Sequence, residues 1–165
     1  MNINIRTTSA AETKAWGERL ARFLFPGAIV GLDGDLGAGK TCFVKGLALG
    51  LGIDEEEILS PTFTLIAEHY RGKIPLYHLD LYRVENAEVE ELGVEEYLFG
   101  GGVTAIEWFR FLPAGMVDAY LLVSFSFGDG DERILWMTAR GEPYERIVAQ
   151  LRADEGDETT TRTAR

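Results

Sequence analysis

The sequence predicts an α/β domain with a mixed sheet. Short apolar runs of strand length alternate with amphipathic helical segments. Two pairs of those runs flank tight-turn residues, the pattern of β-hairpins. A glycine-rich loop, "GDLGAGKT" at 34–41, stands between an apolar run and a helical segment. With 165 residues, 46% of them hydrophobic, the chain can close a core without disulfide support. The expected layout is one domain over residues 1–151. Residues 152–165 are polar, lack large apolar anchors and are expected to form a disordered tail.

The first helix is predicted in "TTSAAETKAWGERLARFL", starting near Ser9. Ser9 and Glu12 have capping-box spacing, and Trp16, Leu20, Phe23 and Leu24 follow at helical intervals. Pro26 and Gly27 stop it. "AIVGLD" (28–33) reads as a buried strand, and "KTCFVKGLALGLG" as a helix closed by Gly50 and Gly52. "FTLIAEHY" and "IPLYHLDLYRV" flank "RGK" and form the first hairpin candidate. "ENAEVEELGVEEYLF" is acidic and helical with a break at Gly93. "GGVTAIEW" (101–108) gives another short strand. "DAYLLVSFSF" and "ERILWMTA" surround "GDGD", the second hairpin candidate, and a last helix is expected over 143–151.

Gly34, Gly39, Lys40 and Thr41 satisfy G-x-x-x-x-G-K-[ST], the P-loop pattern, with a strand before it and a helix after it. Glycine lets successive backbone N–H groups turn inward around phosphate oxygens without a Cβ clash. Gly37 and Ala38 lie inside the same cradle. The helix that follows adds the positive end of its dipole. In this pattern Lys40 is the cation for the β- and γ-phosphates, and Thr41 offers its hydroxyl to Mg²⁺. Asp33 and Asp35 read as turn-makers pointed away from the phosphates. Cys42 reads as a small buried helix residue rather than a redox-sensitive thiol.

Nucleotide hydrolysis needs a carboxylate near Mg²⁺ and a group that orients water. Asp80 ends an apolar strand, the Walker-B placement, and alternation puts Leu76, His78, Asp80 and Tyr82 on one face. His78 reads as a structural hydrogen-bonding group rather than a ligand. Glu107 ends a second apolar strand. Ligand sites in open α/β sheets gather at such carboxyl ends. Glu107 suits either holding Mg²⁺ through water or positioning the attacking water, and spacing does not separate the two. Trp108 suits a nucleotide cover, a partner contact or a core position. Ser60, Thr62 and Thr64 in "LSPTFT" suit γ-phosphate sensing or local backbone capping. Arg133 reads as a solvated turn residue.

The formal net charge of −11 opposes unaided, nonspecific binding to nucleic acid or anionic membrane. One cysteine permits no internal disulfide, which fits a reducing compartment. No run approaches the roughly 18 consecutive apolar residues of a membrane span. The N-terminus lacks the basic-then-apolar order of a signal peptide, so a cytoplasmic location is expected.

"GDLGAGKT", "SPTFTL", "LYHLDLYR" and "LGVEEYLFGGGVTAIEW" occur here in that order. Together they resemble the bacterial TsaE (YjeE) family, the ATPase component of tRNA threonylcarbamoyladenosine biosynthesis. The resemblance covers about residues 8–141. It implies a P-loop domain whose central parallel strands are flanked by antiparallel hairpin strands. It implies ATP and Mg²⁺ as cofactors, slow hydrolysis by the isolated chain, and association with the TsaD and TsaB subunits, which carry out the acyl transfer. By matched motif, Thr41 and Glu107 would hold Mg²⁺, Lys40 the phosphates, and Asp80 the Walker-B position, with Thr62 in a switch-like segment. tRNA would be met indirectly, through partners that carry the phosphate contacts.

Three other readings differ in kind. A nucleotide-gated binding module would share the loop, with hydrolysis incidental. A GTPase would show an N-K-x-D guanine-reading segment and a D-x-x-G switch, and neither is present. A small-molecule kinase would bring an arginine cluster over the phosphates, which the sequence also lacks.

Overall fold

Side chains alternate from the first residues: Ile3, Ile5 and Thr7 are buried while Asn2, Asn4 and Arg6 are exposed. This period of two makes an N-terminal strand, β1 (Asn2–Thr7), which the sequence reading did not anticipate. The computed structural model describes residues 1–59 and 65–163. After β1 come α1 (Ala10–Ala21), β2 (Ile29–Asp33), α2 (Lys40–Gly50), β3 (Ile66–His69) and β4 (Leu76–Asp80). They are followed by α3 (Asn86–Glu91), α4 (Val94–Leu98), β5 (Val103–Glu107), β6 (Tyr120–Phe127), β7 (Arg133–Arg140) and α5 (Glu142–Thr163). Short 3₁₀ turns lie at Glu55–Glu57 and Phe109–Phe111.

The strands form one sheet in the order β1-β7-β6-β2-β5-β4-β3. β6, β2, β5 and β4 are mutually parallel, and antiparallel strands flank them on both sides. The mixed α/β sheet expected from the sequence is therefore present. β3–β4 and β6–β7 are the two antiparallel pairs read from the sequence.

Each face of the sheet has its own core. One holds Leu20, Val30, Leu32, Phe43, Leu47 and Leu121, under α1, α2 and α5. The other holds Leu79, Leu81, Val89, Val94, Ile106 and Trp108, under α3 and α4. Burying each such leucine contributes about 1.5–3 kcal/mol relative to leaving it exposed.

Ser9 caps α1 by accepting from Glu12 N at 3.1 Å, while the Glu12 carboxylate accepts from Thr8 N at 2.7 Å, one residue before the expected box partner. α1 and α2 cross where Gly17 faces Gly46: a Cβ on either would collide with backbone of the other helix. Gly50 belongs to this crossing and sits within α2. Gly52, at φ 84°, follows the helix end at Leu51. Tyr144 on α5 reaches under the sheet and accepts from Ile29 N at 2.9 Å, at the start of β2.

The last helix does not end at Leu151. It runs to Thr163, through most of the segment expected as a disordered tail. Once a helix is nucleated, each added residue gains a backbone hydrogen bond at little further cost. The helix contains no Pro beyond its first turn and carries Gly156 within it, and Arg152 also donates to Asn2 O on β1. Among the described residues no helix is long and apolar enough to cross a membrane.

Candidate active site

The parallel register decides which residues meet. Leu32 on β2 pairs with Glu107 on β5, and Glu107 pairs with Asp80 on β4, so three strand ends lie in one row. The glycine loop leaves the end of β2 and enters α2 at that row.

Gly37 at φ 78° and Gly39 at φ 110° hold the loop's left-handed turns, a backbone shape that costs L side chains energy. Gly39 caps α2 without a side-chain hydrogen bond, and the first turn carries no acidic residue. Its first amides therefore face outward with the positive helix end behind them. Ala38 is buried, and its own N–H is taken by Asp35 O at 3.1 Å. Asp33 turns aside to accept from Arg110 N at 3.1 Å and Nε at 3.3 Å.

Lys40 is buried. Its ammonium donates to Gly34 O at 2.5 Å and to Asp35 O at 3.0 Å, and it lies 4.2 Å from the centroid of the Trp108 ring. Burial pulls its pKa below the ordinary lysine value, against the opposing pull of the Glu107 and Asp80 charges. Thr41, next on α2, points its hydroxyl at Glu107, with Oγ1 at 3.0 Å from each carboxylate oxygen. Glu107 also accepts from His78 Nε2 at 2.5 Å. Asp80 is buried and accepts from Tyr82 N through Oδ1 at 2.9 Å, which fixes the carboxylate at its strand end.

These groups share one cavity of about 370 Å³, with Gly37, Lys40, Thr41, Asp80, Glu107 and Trp108 in its wall. Gly39 lines it too. Gly34 is set back and meets the cavity through the carbonyl that holds Lys40. Thr62, with Ser60 and Thr64, lies outside the described residues. Trp108 is both core and cover: it is buried, yet it lines one side of the cavity, with the Tyr82 ring tilted against it at 4.7 Å between centroids. Its φ of 57° is unusual for a bulky residue and turns the chain directly after Glu107.

Arg133 is the turn residue expected, half-buried rather than fully solvated. It spans from the hairpin to the loop, donating to Glu132 O at 2.8 Å and reaching Gly37 O at 3.5 Å, with its guanidinium 4.6 Å over the Phe127 ring. Cys42, expected as a buried helix residue, is only half-buried and lines the cavity; its thiol donates to Ala10 O at 3.3 Å, and desolvation raises its pKa. Tyr82 and Arg110 were not singled out in the sequence. Tyr82 could have been found from its place two residues past Asp80 on the same face. Arg110 carried no local signal.

The oxygen groups here could hold a hard divalent cation. Thr41, Glu107 and, at one remove, Asp80 offer the sparse oxygen set that leaves Mg²⁺ its waters and phosphate ligands.

The family model described as threonylcarbamoyl adenosine biosynthesis protein TsaE matches residues 7–134. The tRNA threonylcarbamoyladenosine biosynthesis protein TsaE of Bacillus subtilis is 44% identical over 146 residues, spanning 88% of this chain and 91% of the relative. The protein of that name from Treponema pallidum is 46% identical over 128 residues, 76% of this chain and 93% of the relative. The crystal structure of Bacillus subtilis YdiB superposes with a TM-score of 0.78 at 38% identity, covering 94% of this chain and 97% of that one. The chain belongs to the TsaE family of tRNA threonylcarbamoyladenosine biosynthesis proteins.

Proposed function

We propose that the protein binds ATP with Mg²⁺ in the cavity at the glycine loop and hydrolyses it to ADP and phosphate. This cycle supports turnover of the TsaD–TsaB complex that forms threonylcarbamoyladenosine next to the tRNA anticodon. The observation that carries the reading is the meeting of Thr41 and Glu107, at 3.0 Å, in the cavity that also receives the Lys40 ammonium.

Each residue then has a chemical task. The amides of Gly37, Gly39, Lys40 and Thr41 surround the phosphate chain, and the α2 dipole favours its negative charge. Lys40 exchanges the carbonyls of Gly34 and Asp35 for phosphate oxygens, which suits a group already shielded from water. Thr41 and Glu107 would hold Mg²⁺, with Asp80 at the adjoining strand end beside them. When bound, the ion neutralises charge that builds on the phosphate oxygens. Trp108 closes the cavity and limits entry of bulk water. An acidic chain of net charge −11 fits a cytoplasmic partner that leaves tRNA phosphates to other subunits.

The test is reconstitution with TsaD, TsaB and tRNA. A Glu107→Ala protein is expected to join the partners but fail to sustain more than one round of modification. Full multi-turnover modification by that variant would overturn the ATPase role and leave only nucleotide-gated binding.

A further inference from the structure

His78 sits on β4 beside Ala105 of β5, and its ring reaches diagonally along the same face to Glu107. The small Ala105 side chain leaves room for that reach. His78 is wholly buried and lies outside the cavity wall, whereas Glu107 lines it. Nε2 donates to Glu107 Oε2 at 2.5 Å. Nδ1 is buried with no hydrogen-bond partner among the described residues. The imidazole therefore serves one polar contact and leaves its second nitrogen unsatisfied. An apolar residue such as the neighbouring Leu76 or Leu79 would fill this interior without that cost. Packing alone does not account for a histidine here.

Among the described residues, Glu107 is gripped by two groups, Thr41 and His78. Thr41 is itself a proposed cation ligand, so its hydroxyl must serve the ion as well as the carboxylate. The imidazole has no such second duty. We propose that His78 is a positioning residue that fixes the rotation of the Glu107 carboxylate, so that it meets Mg²⁺ together with Thr41. This rests on the ATP and Mg²⁺ reading above. Groups placed behind a metal ligand in this way typically change metal affinity 10–100-fold when removed, by roughly that order.

The test compares full-length wild type with His78→Gln, His78→Asn and His78→Leu. The Gln amide nitrogen falls near the Nε2 position; the Asn amide stops short of it, and Leu offers no donor. Binding of a fluorescent ATP analogue is followed across an Mg²⁺ titration and again in EDTA, with thermal unfolding of each protein measured alongside. His78→Asn and His78→Leu are expected to need about 10–100-fold more Mg²⁺ for half its effect. His78→Gln is expected to recover most of the wild-type response, and all variants to bind the analogue in EDTA as wild type does. Mg²⁺ titrations that superpose for every variant would overturn the proposal. So would equal impairment of Gln and Leu, or loss of binding in EDTA, since either marks a general packing role. If His78→Leu fails to fold, the Gln–Asn comparison decides alone. A wild-type protein whose analogue binding ignores Mg²⁺ defeats the ATPase reading and this proposal together; a normal wild-type response with unchanged variants defeats only this one.

Discussion

Lys40 holds its ammonium 4.2 Å from the centroid of the Trp108 ring while its protons go to Gly34 O and Asp35 O. The cation is thus sheltered between loop carbonyls and an aromatic face. Such a contact contributes about 0.5–2 kcal/mol, more as water is excluded. A phosphate that draws Lys40 away alters the field at the indole.

Trp108 should therefore report on the site. ATP with Mg²⁺ is expected to change the intrinsic tryptophan emission, and Trp108→Phe to abolish that change while Trp16 and Trp136 remain. An unchanged spectral response in Trp108→Phe would place the nucleotide elsewhere.

Removing the ammonium should weaken the phosphate grip. A charge-assisted hydrogen bond in a dry site contributes about 1.5–3 kcal/mol, or roughly 10- to 100-fold in affinity. Lys40→Ala is expected to lose that much ATP affinity by calorimetry, and most hydrolysis. Wild-type turnover in this variant would refute the role given to Lys40.

The helix crossing makes a stability prediction. Alanine at 46 would drive its methyl into Lys14 O on α1, a backbone atom that cannot swing aside. Alanine favours a helix over glycine by about 1 kcal/mol, but overpacking of this kind costs about 1–3 kcal/mol or more. Gly46→Ala is expected to lower the melting temperature by several degrees, at about 2–4 °C per kcal/mol for a chain of this size. A raised melting temperature would show that the helices can part without cost.

Tyr144 accepts from Ile29 N at 2.9 Å across a separation of 115 residues. Tyr144→Phe leaves that buried N–H without a partner and should cost about 1–3 kcal/mol. Burial raises the Tyr144 pKa above its ordinary value. The folded state then disfavours the phenolate, so this contribution is whole below about pH 10 and declines as pH rises toward the raised folded value. Chemical denaturation of both proteins should show the wild-type advantage narrowing above about pH 10. A constant gap would mean that Tyr144 has the same pKa folded and unfolded.

Much of the site was legible because its residues obey fixed local rules. The spacing from Gly34 to Thr41 marks the glycine loop, and Asp80 and Glu107 each end an apolar run, so the parallel strands bring all three to one cavity. Other features depend on contacts between remote segments. β1 has two apolar residues in its alternating pattern, and its partner β7 lies near the opposite end of the chain. His78 was read as a hydrogen-bonding residue, which holds, but its partner follows from the β4–β5 register rather than from spacing. The left-handed turn at Trp108 carries no glycine to announce it. Polarity after Leu151 predicts disorder, whereas α5 runs on to Thr163 because helix continuation needs no apolar face.

The place of β1 at one margin of the sheet, against β7 alone, sets an order on biosynthesis. A ribosome releases Asn2–Thr7 well before Arg133–Arg140. Until then β1 has both edges unpaired, open to any other extended chain nearby. Translation that stops before β7 thus yields a fragment carrying the whole glycine loop and a sticky hem, a ward for chaperones.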